Sequence, residues 1–434
     1  MTKIAILGAG ISGLGAAYTL RNKDVDAVLY EKQSRPGGHT ISHTNSGFTY
    51  DDGPHVSFTK DKRIQELFAT SVDNQFYSVN VKCNNYWKGQ WIKHPAQCNL
   101  YGLPADLKVD ILADFFHAQN SAHGEISNYK DWLYASYGET FSEMFPMEYC
   151  KRYHTTMASN MSTEWVGPRL YRPDPKEVLT GAFNPETDDV HYVPEFRYPK
   201  KGGFESYLDI FLKDASVLTN HEATNINPVT RQIQFAGKQP VHYDAIISSL
   251  PLPEITPMIS GVPDQVRDAA DKLACTQSVV VNIGINRADI SAHHWTYFYD
   301  DDFIFTRLSY PHMQSPNNAP PGTGIFQAEV YFSKKYKPIG KSPDEYITPV
   351  MDDLRRCNLL REDDQILFSD AKFVPYANVI FDLDRAPALK TVTDYLDEIG
   401  IHRCGRYGEW GYHWTDESVT SGEEAARKAL DRLG

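Results

Sequence analysis

The chain has 434 residues, more than one compact core normally holds, which points to two or three domains. A formal charge of -13 argues against a nucleic-acid binder, because neutralising phosphates needs a basic surface; a small anion in a local basic pocket remains compatible with it. Six cysteines occur without CxxC or metal-ligand spacing, so reduced thiols and no metal site are expected. The opening MTKIAILGAG has no apolar leader, and no run of about 20 apolar residues follows, so a cytoplasmic, non-membrane protein is expected.

The first element is an apolar run, Lys3 to Leu7, suited to a buried parallel strand. GAGISGLGAAYTL follows at once, with Gly8, Gly10 and Gly13 in GxGxxG spacing. Each glycine answers a separate demand: a tight turn at Gly8, close backbone approach to a pyrophosphate at Gly10, and helix-to-strand packing at Gly13. The helix beginning there aims its first amides, Ser12 among them, at phosphates. A second strand, AVLYEK, closes with Glu31, where a carboxylate accepts hydrogen bonds from ribose hydroxyls. Next comes SRPGGHT, whose Gly37 and Gly38 let the chain pass close to a ligand beside His39. A strand pair then runs into YDDGPHVSFT, a tight turn through Gly53 and Pro54 that presents His55.

Residues 104 to 172 carry apolar residues at helical spacing with capping-type Ser and Asp, and several helices are expected there. YDAIISSLP reads as a strand. Between residues 276 and 335 apolar and polar residues alternate, as in a half-buried antiparallel sheet, interrupted by the loop SPNNAPPGTG. The chain closes with GRYGEWGYHWTDES and an Ala-rich amphipathic helix. No internal repeat and no low-complexity segment occurs.

The order of glycine motif, acid, Gly-Gly and short β excursion resembles the FAD-binding amine oxidase and UDP-galactopyranose mutase superfamily, and differs from a simple NAD dehydrogenase. Five local segments resemble the mutases in order: GFTYDDGPHV, GQWIKHPAQCNLYGLP, MSTEWVGPRL, FRYPKKGGFESY and IFTRLSYPHMQSPNNAP. The resemblance implies an α/β protein with a discontinuous Rossmann-like FAD-binding domain (residues 1–85, 202–255 and 386–434). It further implies a helical insert (100–175) and an antiparallel substrate sheet (86–99, 176–201 and 256–385). In that family the reduced flavin acts through N5 as a nucleophile on the anomeric carbon of a nucleotide sugar, displacing UDP. The sugar opens, recloses through another hydroxyl, and UDP returns.

By the same resemblance, FAD contacts fall on the N-terminal glycines, Glu31, His39, the Gly53–Pro54–His55 turn, Thr224, Arg406, Trp410, Ser418 and Val419. His55 sets flavin reactivity, while Arg307 and Arg169 clamp the pyrophosphate with planar, permanently charged forks. The bland alternatives are a sheet-face salt bridge for Arg307 and a helix C-terminal cation for Arg169. Gln97, Tyr149, Tyr153, Trp165, Tyr331, Tyr376 and Asn378 are further candidates for the substrate pocket. The partner is then a nucleotide sugar, the reductant stays open with NAD(P)H as one candidate, and a homo-oligomer is possible. Two departures bear on the sugar more than on the flavin. Phe58 stands where several mutases have a second His, and Asn378-Val379 where the family has Tyr-Pro. Two other readings stay open: an amine-oxidase-type flavin oxidase or desaturase, and a non-catalytic FAD-containing binding protein.

Overall fold

The computed structural model describes residues 1–122, 124–188 and 193–433. Its first sheet is parallel and five-stranded, in the order Ile401–Arg403, Ala245–Ser248, Thr2–Leu7, Val25–Tyr30, Ser216–Leu218. Three well-separated stretches of chain therefore build one nucleotide-binding sheet. Ile4, Ile6 and Leu29 are fully buried under helices, while Ala5, Leu7 and Tyr30 on the other face pack with Ile226, Ile233 and Phe235 of a three-stranded sheet. With both faces covered, these strands read as continuous apolar runs. Helix Ile11–Leu20 crosses helix Thr415–Leu433 at glycines. A Cβ on Gly15 would stand 2.7 Å from the Val419 carbonyl, and one on Gly422 would overlap the Ser12 carbonyl. The C-terminal helix, whose outer residues could pass for plain surface, is thus half core.

The second sheet has seven strands: Ile366–Val374, Thr276–Ile285, Gly324–Ser333, Arg307–Ser309, Trp295–Phe298, Cys83–Trp87 and Gln90–Lys93. It is antiparallel except at Trp295–Phe298, which pairs parallel with Cys83–Trp87, and it begins at Cys83 rather than at residue 86. The expectation of a half-buried sheet needs correcting here. Both ten-residue strands, 276–285 and 324–333, are buried at every position. The alternation separates two interiors. Val279, Val281, Phe326, Ala328 and Val330 pack with Val350 and Leu354 of helix Ile347–Arg356. The opposite face carries Ser278, Asn282, Gln327, Glu329 and Tyr331, polar yet buried, toward the nucleotide-binding unit.

The insert is helical, with Ala105–Asn120, Tyr129–Tyr137 and a run from Glu139 to Tyr153 that loosens into a π turn around Pro146. Pro146 cannot donate its amide to the helix, and the wider turn absorbs the loss. Arg152 fixes the end of this run to the seven-stranded sheet, donating to the carbonyls of Phe298 (2.9 Å) and Phe303 (2.7 Å). Among the described residues no helix is long and apolar enough to cross a membrane.

Gly422→Val tests the helix crossing. Its branched side chain must push apart two buried backbones, an overpacking that costs about 1–3 kcal/mol or more. A lowered thermal midpoint is expected, and an unchanged one would mean that the crossing is loose.

Candidate active site

The turn 51–55 is held from beneath. Asp51 is 3% exposed, and its carboxyl accepts from Ser42 Oγ (2.5 Å), the Phe204 amide (3.1 Å) and the Tyr198 hydroxyl (2.8 Å). Burial outweighs these bonds and pushes its pKa up to about 6. Asp52 faces the other way, its Oδ1 lying 2.7 Å from His43 Nε2. His55 Nδ1 lies 3.0 Å from the Gly53 carbonyl. A carbonyl only accepts, so this contact puts the proton on Nδ1 and leaves Nε2 as an acceptor. Burial, with Arg406 nearby, lowers the His55 pKa against the opposing Gly53 bond and Asp52. His39 is pushed down to about 4, mainly by burial. Both imidazoles at this turn are therefore neutral.

The glycine segments meet. Gly10 and Gly37 form a parallel bridge, and a Cβ on Gly38 would stand 3.0 Å from Gly10 Cα. Gly8 has φ +92°, and a Cβ on Gly13 would overlap the Gly8 carbonyl oxygen. No side chain caps helix Ile11–Leu20, so its first amides stay available to an anion. Glu31 accepts from the amides of Ala9 (2.9 Å) and Gln33 (2.8 Å), bracing the loop as well as ending the strand. Ser12 backs Gly405, where a Cβ would stand 2.8 Å from Ser12 Cβ. This cradle, closed to side chains and lined by free amides, fits a dinucleotide cofactor. Arg406 reaches the carbonyls of His413 (3.0 Å) and Ala377 (3.2 Å).

Other residues expected at the cofactor lie differently. Trp410 is wholly buried at φ +51°, its carbonyl accepting from Arg385 Nε (3.1 Å), and belongs to the core. Val419 is buried at the Gly15 crossing, and the Ser418 amide bonds to the Trp414 carbonyl. Thr224 is exposed on a separate three-stranded sheet, where its hydroxyl donates to the Gln234 carbonyl (3.2 Å).

A cavity of about 200 Å³ opens between the insert, the polar face of the seven-stranded sheet and the segment 412–414. Gln97, Tyr149, Tyr153, Trp165, Arg169 and Arg307 all line it. Tyr331 stands behind them, its ring 4.7 Å from that of Tyr153. Tyr376 and Asn378 do not line it. Tyr376 packs on Tyr407 and Trp410, and Asn378 pairs its backbone with Thr276. Arg307 makes a two-pronged pair with Glu329, Nη2 to Oε1 at 2.9 Å, and Glu329 also accepts from Tyr331 (2.8 Å). Arg307 thus belongs to the cavity wall and to a sheet-face salt bridge at once. Arg169 has no acidic partner among the described residues. Its guanidinium lies over the rings of Tyr412 (4.7 Å) and Trp414 (4.4 Å) and donates to the Tyr412 carbonyl (2.6 Å).

Sequence reading missed Glu329, Tyr297, Tyr299, Tyr412 and Trp414. The aromatic crowding of GEWGYHWTDES was a usable signal for the last two. Glu329, a lone acid in GIFQAEVYFS, shows its role only through cross-strand pairing with Arg307.

The family profile of flavin containing amine oxidoreductases matches residues 11–430. The chain belongs to this family. A flavin cofactor follows from that membership and agrees with the glycine cradle. A solved structure of reduced UDP-galactopyranose mutase superposes with a TM-score of 0.92 at 25% identity, covering 100% of this chain and 96% of that one. A putative protoporphyrinogen oxidase from Exiguobacterium sp. 255-15 shares the fold, with a TM-score of 0.77, 15% identity and 99% coverage of both chains. Coproporphyrinogen III oxidase from Staphylococcus aureus is 31% identical over 112 residues, which are 25% of this chain and 24% of that protein. The matched stretch thus spans about a quarter of that relative. The protein is a flavoenzyme of the amine oxidase superfamily with the architecture of UDP-galactopyranose mutase.

Six histidines (His39, His55, His154, His294, His312 and His402) hold a proton less readily here than at their ordinary value of 6.5, burial being the main cause in each. The folded state then binds fewer protons than the unfolded one, so stability is full above that value and is lost as pH falls toward about 4. Each such group contributes a slope of up to about 1.4 kcal/mol per pH unit. Asp51, raised to about 6, opposes between its ordinary 3.8 and that value, and Asp209, Asp300 and Asp353, also raised mainly by burial, oppose in the same sense. Thermal midpoints measured from pH 7.5 to 5 should fall steadily. A flat or rising profile would show that these imidazoles are not held neutral.

Proposed function

We propose that this protein is a FAD-dependent nucleotide-sugar pyranose/furanose mutase. The observation that carries this reading is the full-length match to a reduced UDP-galactopyranose mutase. The two arginines in the wall of one aromatic cavity agree with it. The free amides at the start of helix Ile11–Leu20 would receive the FAD pyrophosphate, and Glu31 the ribose. A bound reduced flavin would supply a nucleophilic ring nitrogen for the anomeric carbon. His55 holds a neutral acceptor at the turn. Arg169, pre-oriented by Tyr412 and Trp414, offers an uncompensated fork to a departing diphosphate, where a cation gains value as charge develops. Arg307, offset by Glu329, contributes directed N–H groups more than net charge. The stacked rings of Tyr149 and Tyr153 (5.2 Å) offer a face to a base. The reading includes a cytoplasmic setting, an NAD(P)H-class reductant and possible self-association.

A second reading, a flavin oxidase or desaturase, is favoured by the segmental likeness to the Staphylococcus aureus oxidase and by the neutralised Arg307. The deciding experiment incubates dithionite-reduced protein with UDP- and dTDP-sugars and scores ring isomers by chromatography. No isomer from any sugar, with peroxide formed from another substrate in air, would replace the first reading by the second.

Arg169→Ala should weaken UDP binding roughly ten- to hundredfold and, by losing its contacts with Tyr412 and Trp414, cost only about 1 kcal/mol of stability. Arg307→Ala strands a buried carboxylate and should cost on the order of 3 kcal/mol of stability. Adding Glu329→Gln should recover much of that stability without restoring turnover. UDP titration by flavin fluorescence and thermal melts separate the two arginines. His55→Ala should keep the flavin and lose most turnover, and wild-type rates in that variant would reduce the turn to a scaffold.

A further inference from the structure

His154 closes the C-terminal end of helix Glu148–Tyr153 and is 3% exposed. Its ring stands edge-on to Tyr153 (4.9 Å, 88°) and lies 5.1 Å from Trp165, and all three residues line the cavity. Neither His154 Nδ1 nor Trp165 Nε1 has a hydrogen-bond partner, although both atoms are buried. Two adjacent unpaired groups of this kind are rarely tolerated without a purpose. The following residue adds a second irregularity. Thr155 has φ +60°, a conformation that a β-branched residue seldom adopts, and its hydroxyl is tied to Ser333 Oγ (2.7 Å). Such local strain gathers at places that grip ligands.

We propose that His154, with the Trp165 indole, is a specificity-determining residue that hydrogen bonds an uncharged oxygen of the substrate's nucleoside. The proposal rests on the mutase reading and adds to it a residue that reads the nucleoside. The chemistry follows from the groups present. An indole N–H only donates, so whatever faces it must accept. Burial pushes the His154 pKa down to about 3, leaving a neutral ring unsuited to a phosphate, for which Arg169 is the available cation. The neighbouring surfaces are the flat faces of Tyr149 and Tyr153, which suit a planar base and its attached ribose. The oxygen is a carbonyl of the base or a hydroxyl of the ribose.

The test measures Kd for UDP, CDP and 2′-deoxy-UDP on the oxidised holoenzyme, for wild type, His154→Leu, His154→Asn and Trp165→Phe. CDP replaces a base carbonyl by an amine, and 2′-deoxy-UDP removes a ribose hydroxyl. Wild type should prefer UDP over at least one analogue by roughly tenfold, the value of one buried hydrogen bond. His154→Leu and Trp165→Phe should erase that preference. His154→Asn, which keeps a polar atom near the place of Nδ1, should retain most of it and covers the case in which the leucine variant fails to fold. Loss of discrimination against CDP assigns the base carbonyl, and loss against 2′-deoxy-UDP assigns the ribose hydroxyl. If the leucine and phenylalanine variants shift all three affinities equally or not at all, His154 is a packing residue and the proposal falls alone. If wild type binds none of the three, it falls together with the mutase reading.

Discussion

One buried carboxyl group, that of Asp51, ties together the parts of this protein that must meet for it to work. Its side chain joins the 42–51 hairpin to Tyr198 and to the Phe204 amide, and its backbone carbonyl accepts from Gln327 (2.8 Å) on the seven-stranded sheet. Gly203 makes room for this, since a Cβ there would stand 2.9 Å from Asp51 Oδ1. The next residues are Asp52, Gly53, Pro54 and His55, so the anchored residue fixes the direction of the whole turn. Remove the carboxyl, and the hairpin loses its tie to Tyr198 and to the Phe204 amide, so that the backbone carbonyl facing Gln327 is no longer held from beneath.

The polar face of the seven-stranded sheet works by the same logic. Glu329 holds Arg307 in a planar fork and simultaneously takes the Tyr331 hydroxyl, so two buried polar groups and a half-buried arginine satisfy one another. Orientation is gained at the expense of net charge. The cavity is left with one uncompensated arginine, Arg169, whose ring stacking and carbonyl contact hold it in place by means other than an opposite charge.

Much of this was legible in the residues, and the limits have physical reasons. The glycine spacing at Gly8, Gly10 and Gly13 reports local sterics, and sequence carries local sterics directly. The alternation in 276–285 and 324–333 announced two faces, but not that both are interior, because what covers a face is decided by distant elements. Cross-strand partners such as Arg307 and Glu329 depend on register, which the loop between the strands conceals. Trp410 shares its segment with residues at the site, yet its left-handed backbone turns the indole into the core. Trp414, four positions later, faces the cavity instead.

The crossing of helices Ile11–Leu20 and Thr415–Leu433 has a consequence for how the protein is made. The first helix emerges early and has its glycine-lined groove covered only by the last. Synthesis of the intervening chain takes on the order of 20–80 s at about 5–20 residues per second. For about the first 12–50 s of that time the apolar strand Thr2–Leu7 also lacks its neighbour Ala245–Ser248. The nucleotide cradle can close only once residues 405–422, which pack against Ser12, have been made.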